Sequence, residues 1–421
     1  MKKFELKIDV FWVLITSTRS ANKIRYRDFF RALIKLPLLL IKDILKIKAK
    51  RTENDIHFKS NYLYVHLESF NNYSATQFLE EEYKVIYTTK GKPSYTRASI
   101  NLERINYPHP LFDKWRFIVM LFIKRNYSWK YFESVHKYYY SYDSFTRYFE
   151  KNKPSAYFFS NDHNPVSRSL LLACRNHNVP TYFIQHGSTS EIFPPLKFSV
   201  AFLYGNYDYN TYKLCGYITS TCHLVGMQNQ IYTNKKNKEI NNIEEIKTIG
   251  VAFNTLDTIA SLNKLFTTII EYFDRNIKVI VRPHPRDRVR WQYIMAQFPS
   301  LTFSDPLREN PNQFISRCDV IISGVSGILL EAVLQNTHAI QCNLYDSHDE
   351  YDYYEYIKNG IVSYCHSPRN IISCLKAINF REDPRYKAKY YDASLGKTDS
   401  YSVKETIVNL LNEEYGFERF K

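Results

Sequence analysis

Glycine is scarce, at 11 of 421 residues. The chain accordingly has no Gly/Ser linker and no low-complexity tail, and it carries no internal repeat at a solenoid period. No apolar stretch approaches the ~20 residues of a membrane-spanning helix. Mean hydropathy is −0.41, which argues against an integral membrane protein. A GxxxxGK[ST] loop is missing, which argues against a P-loop ATPase. A GxSxG elbow is missing too, which weakens an α/β-hydrolase reading. No CxxC occurs among the seven cysteines. An odd count without paired ligand spacing predicts free thiols in a reducing compartment and no structural zinc. Residues Met1 to Ile15 have a positive start and an apolar run but no small-residue cleavage site. They read as a first β-strand and not as a signal peptide.

What is present is a large core. Hydrophobic residues make up 44% and aromatics 16%, with 36 tyrosines, so wholesale disorder is excluded. A length of 421 residues is that of two to three domains. The net charge of +15 and pI near 9.2 favour an anionic partner: nucleic acid, an acidic membrane face or a phosphorylated substrate. Part of that charge lies in Lys23 to Arg51, where ten Lys/Arg face only Asp28 and Asp43. Phe29, Leu33, Leu40, Ile44 and Ile47 fall near helical spacing there, with Pro37 as a break. Such a segment can lie on an anionic membrane, or it can be a partly buried helix with a solvated basic edge.

From residue 150 onward, short apolar runs alternate with helical segments. Strands are expected at 156–160, 181–185, 201–204, 223–226, 247–253, 276–282, 301–303, 319–323 and 338–343. Helices are expected at 168–176, 257–273, 290–297, 312–317, 326–334, 368–378 and 402–412. Strand–helix alternation predicts βαβ units and parallel sheets. The polar stretch Gln230 to Glu245 is the best linker. The expected fold is α/β, with two Rossmann-like domains whose parallel sheets face a central cleft. Domain bounds are 1–235 and 246–400, and a C-terminal helix in 401–421 could pack back on the first domain.

Ligands in such sheets sit at the carboxyl ends of the strands. Three strand ends there carry unusual residues. After the strand at 181, Gly187 would permit a sharp turn and present His186, a natural general base near neutral pH, unless that histidine is merely structural. After the strand at 276 comes Arg282-Pro283-His284-Pro285-Arg286. Pro283 and Pro285 would stiffen the loop. His284, Arg282 and Arg286 would stabilise a phosphate leaving group without a metal, although the outer arginines also fit a solvated turn. After the strand at 319, Ser323-Gly324-Val325-Ser326-Gly327 leads into a helix. That is an anion cradle, compatible with plain N-capping by Ser326. Glu331, further into that helix, suits ribose hydroxyls or solvent. The acidic stretch Asp346 to Glu355 lacks tight ligand spacing and reads as a solvated loop. The tyrosines are spread over the chain with no nucleic-acid-binding motif.

These three motifs, in this order, resemble GT-B-fold transferases of bacterial surface-polysaccharide assembly. The likeness is to CDP-glycerol glycerophosphotransferases of teichoic acid synthesis and to capsule and lipooligosaccharide glycosyltransferases. It covers about residues 150 to 345, and the Lys/Asn/Ile/Tyr-rich composition suits a bacterial genome. The resemblance implies that His186, with Gly187, is the general base. It implies that Arg282 to Pro285 contact the donor's phosphate and that Ser323 to Gly327 cradle the nucleotide diphosphate. Sialyl- and polysialyltransferases share the His-Pro element but carry an acidic residue where this chain has His186.

The resulting expectation is an inverting, metal-independent glycosyltransferase of the cell envelope, acting in capsule, lipopolysaccharide or teichoic-acid biosynthesis. It would use a CMP/CDP- or UDP-linked donor, require no cofactor and act on a glycan or lipid-linked acceptor. His186 and His284 would be catalytic; Arg282, Arg286, Ser323, Gly324, Ser326, Gly327 and Glu331 would bind the donor. The enzyme would be cytoplasmic and peripheral on the anionic inner membrane face, with no nucleic acid partner. The alternatives are a CDP-glycerol- or ribitol-type polyol-phosphate transferase, with attack at phosphorus, and a non-catalytic nucleotide or nucleic-acid binding protein.

Overall fold

The computed structural model describes residues 61–89, 96, 99–101, 132–151, 153–161, 163–191, 193–228, 240, 242–274, 276–285, 287, 290–345, 352–397 and 402–419, together with 34, 35 and 38. The strand expected at Met1 to Ile15, most of the basic segment Lys23 to Arg51, most of the linker and the first half of the acidic stretch lie outside them. In the basic segment, Ile34, Lys35 and Leu38 are helical and exposed. No helix among the described residues is long and apolar enough to cross a membrane.

The chain divides into two compact units. The first comprises Met1–Tyr204, Asp208–Val225 and Ser402–Lys421; the second comprises Gly205–Tyr207 and Gly226–Tyr401. The cut at Val225 precedes the polar stretch that reads as a linker.

In chain order the first unit contains β1 (Leu63–His66), α1 (Phe70–Thr76), α2 (Leu79–Glu82), β2 (Val85–Thr89), β3 (Ser99–Asn101), α3 (Phe132–Lys151), β4 (Tyr157–Phe159), α4 (Pro165–Asn176), β5 (Thr181–Ile184), β6 (Val200–Leu203), α5 (Asn206–Cys215, whose first two residues group with the second unit) and β7 (Thr221–Leu224). The strands form one parallel sheet in the order β3-β2-β1-β4-β5-β6-β7. The order reverses between β1 and β4, so the crevice at their carboxyl ends is the natural ligand position.

Parallel strands covered on both faces read as buried, mostly apolar runs, and the central strands β4, β5 and β6 are buried at every position. One face sets Tyr64, Tyr157, Phe159 and Phe183 against Leu170, Leu171 and Cys174 of α4 and Phe145 and Phe149 of α3. Asn164 starts α4 by accepting the N–H groups of Val166 and Ser167, with Pro165 at the first helical position, where its missing N–H costs nothing. On the other face Phe158 stacks on Tyr182, 4.8 Å between centroids, and both meet Phe417 edge-on.

The second unit follows with β8 (Thr248–Phe253), α6 (Ile259–Tyr272), β9 (Lys278–Pro283), α7 (Arg290–Gln297), β10 (Thr302–Phe303), α8 (Pro311–Ser316), β11 (Val320–Ser323), α9 (Ile328–Leu334), β12 (His338–Cys342), β13 (Ser363–Cys365), α10 (Ile371–Lys376) and α11 (Arg385–Ala388). Its parallel sheet runs β10-β9-β8-β11-β12-β13 and reverses between β8 and β11. Alternate strand residues serve two cores. Val251, Val281 and Ile322 pack with Leu262, Leu265 and Phe266 of α6. Ile280 and Ile321 pack with Phe314 and Ile315 of α8 and Leu329 and Val333 of α9. Gly250 lets α8 and the turn after it approach, since a Cβ there would meet Phe314 Cζ at 2.9 Å and Cys318 Sγ at 2.6 Å.

The last helix, α12 (Val403–Glu413), belongs to the first unit. Tyr83 Oη donates to Asn412 Oδ1 at 2.7 Å, and His223 Nε2 lies 2.8 Å from Tyr415 Oη. The two expected parallel α/β sheets are present, and all seven cysteines are free thiols.

Candidate functional site

In the second unit, the ends of β8, β9 and β11 lie side by side, with Phe253 opposite Pro283 and Ser323 opposite Ala252. The turn from Ser323 to Gly327 therefore sits at the reversal point of the sheet. It is held from β8: Asn254 Nδ2 donates to Val325 O at 2.9 Å, and the Asn254 N–H donates to Asp257 Oδ2 at 2.7 Å. Asp257 is buried, and its carboxylate lies directly against Gly324 where a Cβ would stand. Only glycine fits there. Ser323 is fully buried and its Oγ has no hydrogen-bond partner, which is costly unless a ligand or water supplies one.

Capping by Ser326 does not occur. The N-cap of α9 is Gly327, and no side chain caps the helix. Ser326 and Gly327 are half-buried, and a Cβ on Gly327 would meet nothing within 4 Å. Burial pushes the Glu331 carboxyl up to about 7, against the pull of Arg282.

Arg282 is buried and turned inward. Its Nη1 donates to Ser304 Oγ at 3.0 Å and its Nη2 to Glu309 O at 2.8 Å. Ser304 Oγ donates in turn to Glu309 Oε2 at 2.6 Å, and Arg317 Nη2 donates to the same oxygen at 2.8 Å. Burial lowers the Arg282 pKa, while Glu309 and Glu331 oppose that shift. This guanidinium anchors the strand end. His284 is exposed, while its backbone N–H donates to Phe253 O at 2.9 Å. Pro283 is buried as the last residue of β9, and Pro285 is exposed. Arg286 lies outside the described residues.

In the first unit, His186 follows β5 and is half-buried. Its turn is clamped on both sides. Gln185 is buried and donates from Nε2 to Gly187 O at 2.9 Å, while its Oε1 accepts the Tyr204 N–H at 2.8 Å. Asp208 is also buried and accepts from Thr189 N at 3.1 Å and Thr189 Oγ1 at 2.7 Å. Gly187 is exposed, stays out of the left-handed region and would tolerate a Cβ. The turn is thus shaped by Gln185 and Asp208, and the expected need for glycine freedom is not met.

Three further residues at the strand ends escaped the sequence reading. The His163 ring lies nearly parallel to that of His186, 6.4 Å between centroids, and packs on Phe193 at 4.8 Å. His66 ends β1 and Glu68 follows it. His163 could have been found, because it lies between an expected strand and helix. His66 could not, because no strand is expected between residues 16 and 150.

No family model matches the sequence, and no curated protein does. Solved structures share the fold. The wall teichoic acid polymerase TagF, in a soak with CDPG, superposes with a TM-score of 0.51 at 12% identity over 92% of this chain and 97% of its own. The S. aureus MnaA–UDP structure gives 0.50 at 13% identity over 86% and 100%. The UDP-GlcNAc 2-epimerase of Methanocaldococcus jannaschii, in complex with UDP-GlcNAc and UDP, gives 0.50 at 12% identity over 83% and 99%. The architecture is the GT-B-like one that the motif resemblance implies. At these identities the likeness concerns the fold.

Proposed function

We propose that the protein is a glycosyltransferase that moves a sugar from a nucleotide-activated donor to a hydroxyl of a bacterial surface glycan. The observation that carries this reading is the turn from Ser323 to Gly327. It offers a fully buried serine hydroxyl without a partner, at the reversal point of a parallel sheet, two strands along from the strand end that carries the exposed His284. Neighbours of the same fold were solved with UDP or CDPG, which supports a pyrimidine nucleotide as the ligand of the second unit.

In this reading the diphosphate rests on the backbone N–H groups of the turn and on Ser323, with His284 donating to it. Arg282 acts as a positioning residue, since its terminal nitrogens are committed to Ser304 and Glu309. Glu331 serves ribose hydroxyls. His186 takes the proton of the acceptor hydroxyl, whose oxygen attacks the anomeric carbon. The bond to the diphosphate breaks with inversion, and the charge that develops on phosphate is met by preorganised donors. The basic segment Lys23 to Arg51 would hold the enzyme on the anionic inner face of the membrane.

A second reading, transfer of a polyol phosphate from a CDP donor, is favoured by the coverage of the TagF likeness, 92% of this chain. The same residues would serve it, with attack at phosphorus.

The test is a thermal-shift screen with CMP, CDP, UMP, UDP, GDP and ADP, since a ligand of the folded state raises its apparent stability. One pyrimidine nucleotide should raise the melting temperature, and His284→Ala should abolish the rise. Silence with every nucleotide refutes the donor site. Donor turnover that survives His186→Ala refutes the assigned base. Phosphorus in the product separates the two readings.

A further inference from the structure

Three of the seven thiols meet at one edge of the second sheet. Cys342 ends β12 and Cys365 ends the edge strand β13, and the register sets the two side by side. Both are fully buried in the core of this unit, and Cys374 of α10 packs against the same core from a half-buried position. Cys374 Sγ donates to Tyr364 O at 3.6 Å, one residue before Cys365, and Cys365 Sγ donates to Ser367 O at 3.0 Å. Cys365 also shares side-chain hydrogen bonds with Cys342 and with Cys374.

A thiol flanked by two thiol donors gives up its proton more readily. The Cys342 thiol, joined by that of Cys374 and opposed by burial, holds the Cys365 pKa below the ordinary thiol range. Burial and the charge on Cys365 push Cys374 the other way. Cys222 is the contrast: it is half-buried like Cys374, and burial alone pushes it up to about 11. The thiolate is the form that reacts with oxidants.

From this arrangement we infer that Cys365 and Cys374 form an oxidation site, closing to a reversible disulfide when the protein meets hydrogen peroxide. Geometry selects this pair over Cys342 and Cys365. Neighbours in register on parallel strands stand about 4.8 Å apart, wider than the ~3.8 Å between the Cβ atoms of a disulfide. Joining them would draw together two strands already fixed in the sheet. Cys374 sits on a six-residue helix over the edge strand, and of the three it is the one that solvent reaches. Cys342 supports the Cys365 thiolate and is not consumed.

The steps balance. Cys374 passes its proton to the Cys365 thiolate and attacks the peroxide, breaking the O–O bond. It becomes a sulfenic acid, and the hydroxide released takes the proton from Cys365. The Cys365 thiolate then attacks the sulfenic sulfur, the S–S bond forms, the S–O bond breaks and hydroxide leaves. Both sulfurs are oxidised, and the peroxide is reduced by two electrons. The site stands apart from the transferase reading and does not depend on it.

The test treats the reduced full chain with hydrogen peroxide at neutral pH, alkylates the remaining thiols, and maps the monomer by trypsin digestion and mass spectrometry without reductant. Trypsin separates the three cysteines, with Cys342 in 318–358, Cys365 in 359–369 and Cys374 in 370–376. The expected product is 359–369 joined to 370–376, lighter by two hydrogens than the separate peptides and released by dithiothreitol. Free Cys365 and Cys374 should disappear about tenfold faster than free Cys222. Cys342→Ala should keep the link, and Cys374→Ala, at a half-buried position, should abolish it with the reduced protein still folded.

A link between 318–358 and 359–369 overturns the inference. Sulfinic or sulfonic acid on Cys374 without a link overturns it as well, and so does loss of Cys222 at the same pace as the pair. Should Cys342→Ala fail to fold, the wild-type peptide map decides between the two pairings.

Discussion

Replacing Gly324 by alanine places a methyl group on the Asp257 carboxylate. That carboxylate cannot swing aside cheaply. Asp257 is buried, and its Oδ2 accepts the Asn254 N–H at 2.7 Å. Moving it would release Asn254, whose side chain fastens the turn through Val325 O. Overpacking of this kind costs about 1–3 kcal/mol. In a body of this size each kcal/mol lowers the melting temperature by about 2–4 °C, so the expected fall is about 2–12 °C.

Gly327→Ala is the internal control. A Cβ there meets nothing within 4 Å, and the backbone at φ −61, ψ −23 suits any residue, so its effect should stay within about 1 kcal/mol. Differential scanning calorimetry, with and without the nucleotide found in the screen, measures both variants. Gly324→Ala should also lose the nucleotide response. A Gly324→Ala protein that melts within about 2 °C of wild type and still responds to nucleotide would refute the account of this turn. Equal losses in the two variants would refute it too.

Other outcomes follow from the same geometry. The Glu331 carboxyl is raised to about 7 from 4.5, so the folded state holds its proton more tightly than the unfolded chain. Stability contributed by the neutral acid is full below about pH 4.5 and falls as pH rises to about 7. Glu331→Gln should flatten that fall and exceed wild type by about 1–3 kcal/mol at pH 8 in urea unfolding; a variant with an unchanged pH slope speaks against it. Arg282→Lys cannot reach both Ser304 Oγ and Glu309 O, and should cost about 2 kcal/mol in the same assay. Asp208→Ala strands the Thr189 N–H and hydroxyl in a buried site and should cost about 2 kcal/mol, with Asp208→Asn closer to wild type. The reverse ranking of the two Asp208 variants would contradict the clamp on the His186 turn.

The second half of the chain was largely legible because its buried parallel strands are short unbroken apolar runs, such as Val320-Ile321-Ile322, set between helices. The helix at Arg290–Gln297 matches its expected bounds. The stretch before residue 150 was not legible. β1 is four residues long and ends in a buried histidine, and its partners β2 and β4 flank it in the sheet although both follow it in the chain, β4 only after Lys151. Nothing local marks it as a central strand. At the site, sequence locates glycines and arginines but not their partners. Gly324 is required by Asp257, across the neighbouring strand end. Arg282 has the composition of a phosphate ligand, and only the fold shows its nitrogens spent on Ser304 and Glu309. Gly187 illustrates the opposite error: a glycine in a suggestive place whose backbone needs no special freedom.

The grouping of Ser402–Lys421 with the first unit has a consequence for biosynthesis. Phe158 and Tyr182 are covered by Phe417, a residue translated only after all of Gly226–Tyr401. The second unit is nearly continuous in sequence and can close while still near the ribosome. The first sheet must wait with one aromatic face uncovered until the ribosome has passed the whole inserted unit. That interval is when the nascent chain is most exposed to aggregation and to chaperones, and slow translation through 226–401 would prolong it.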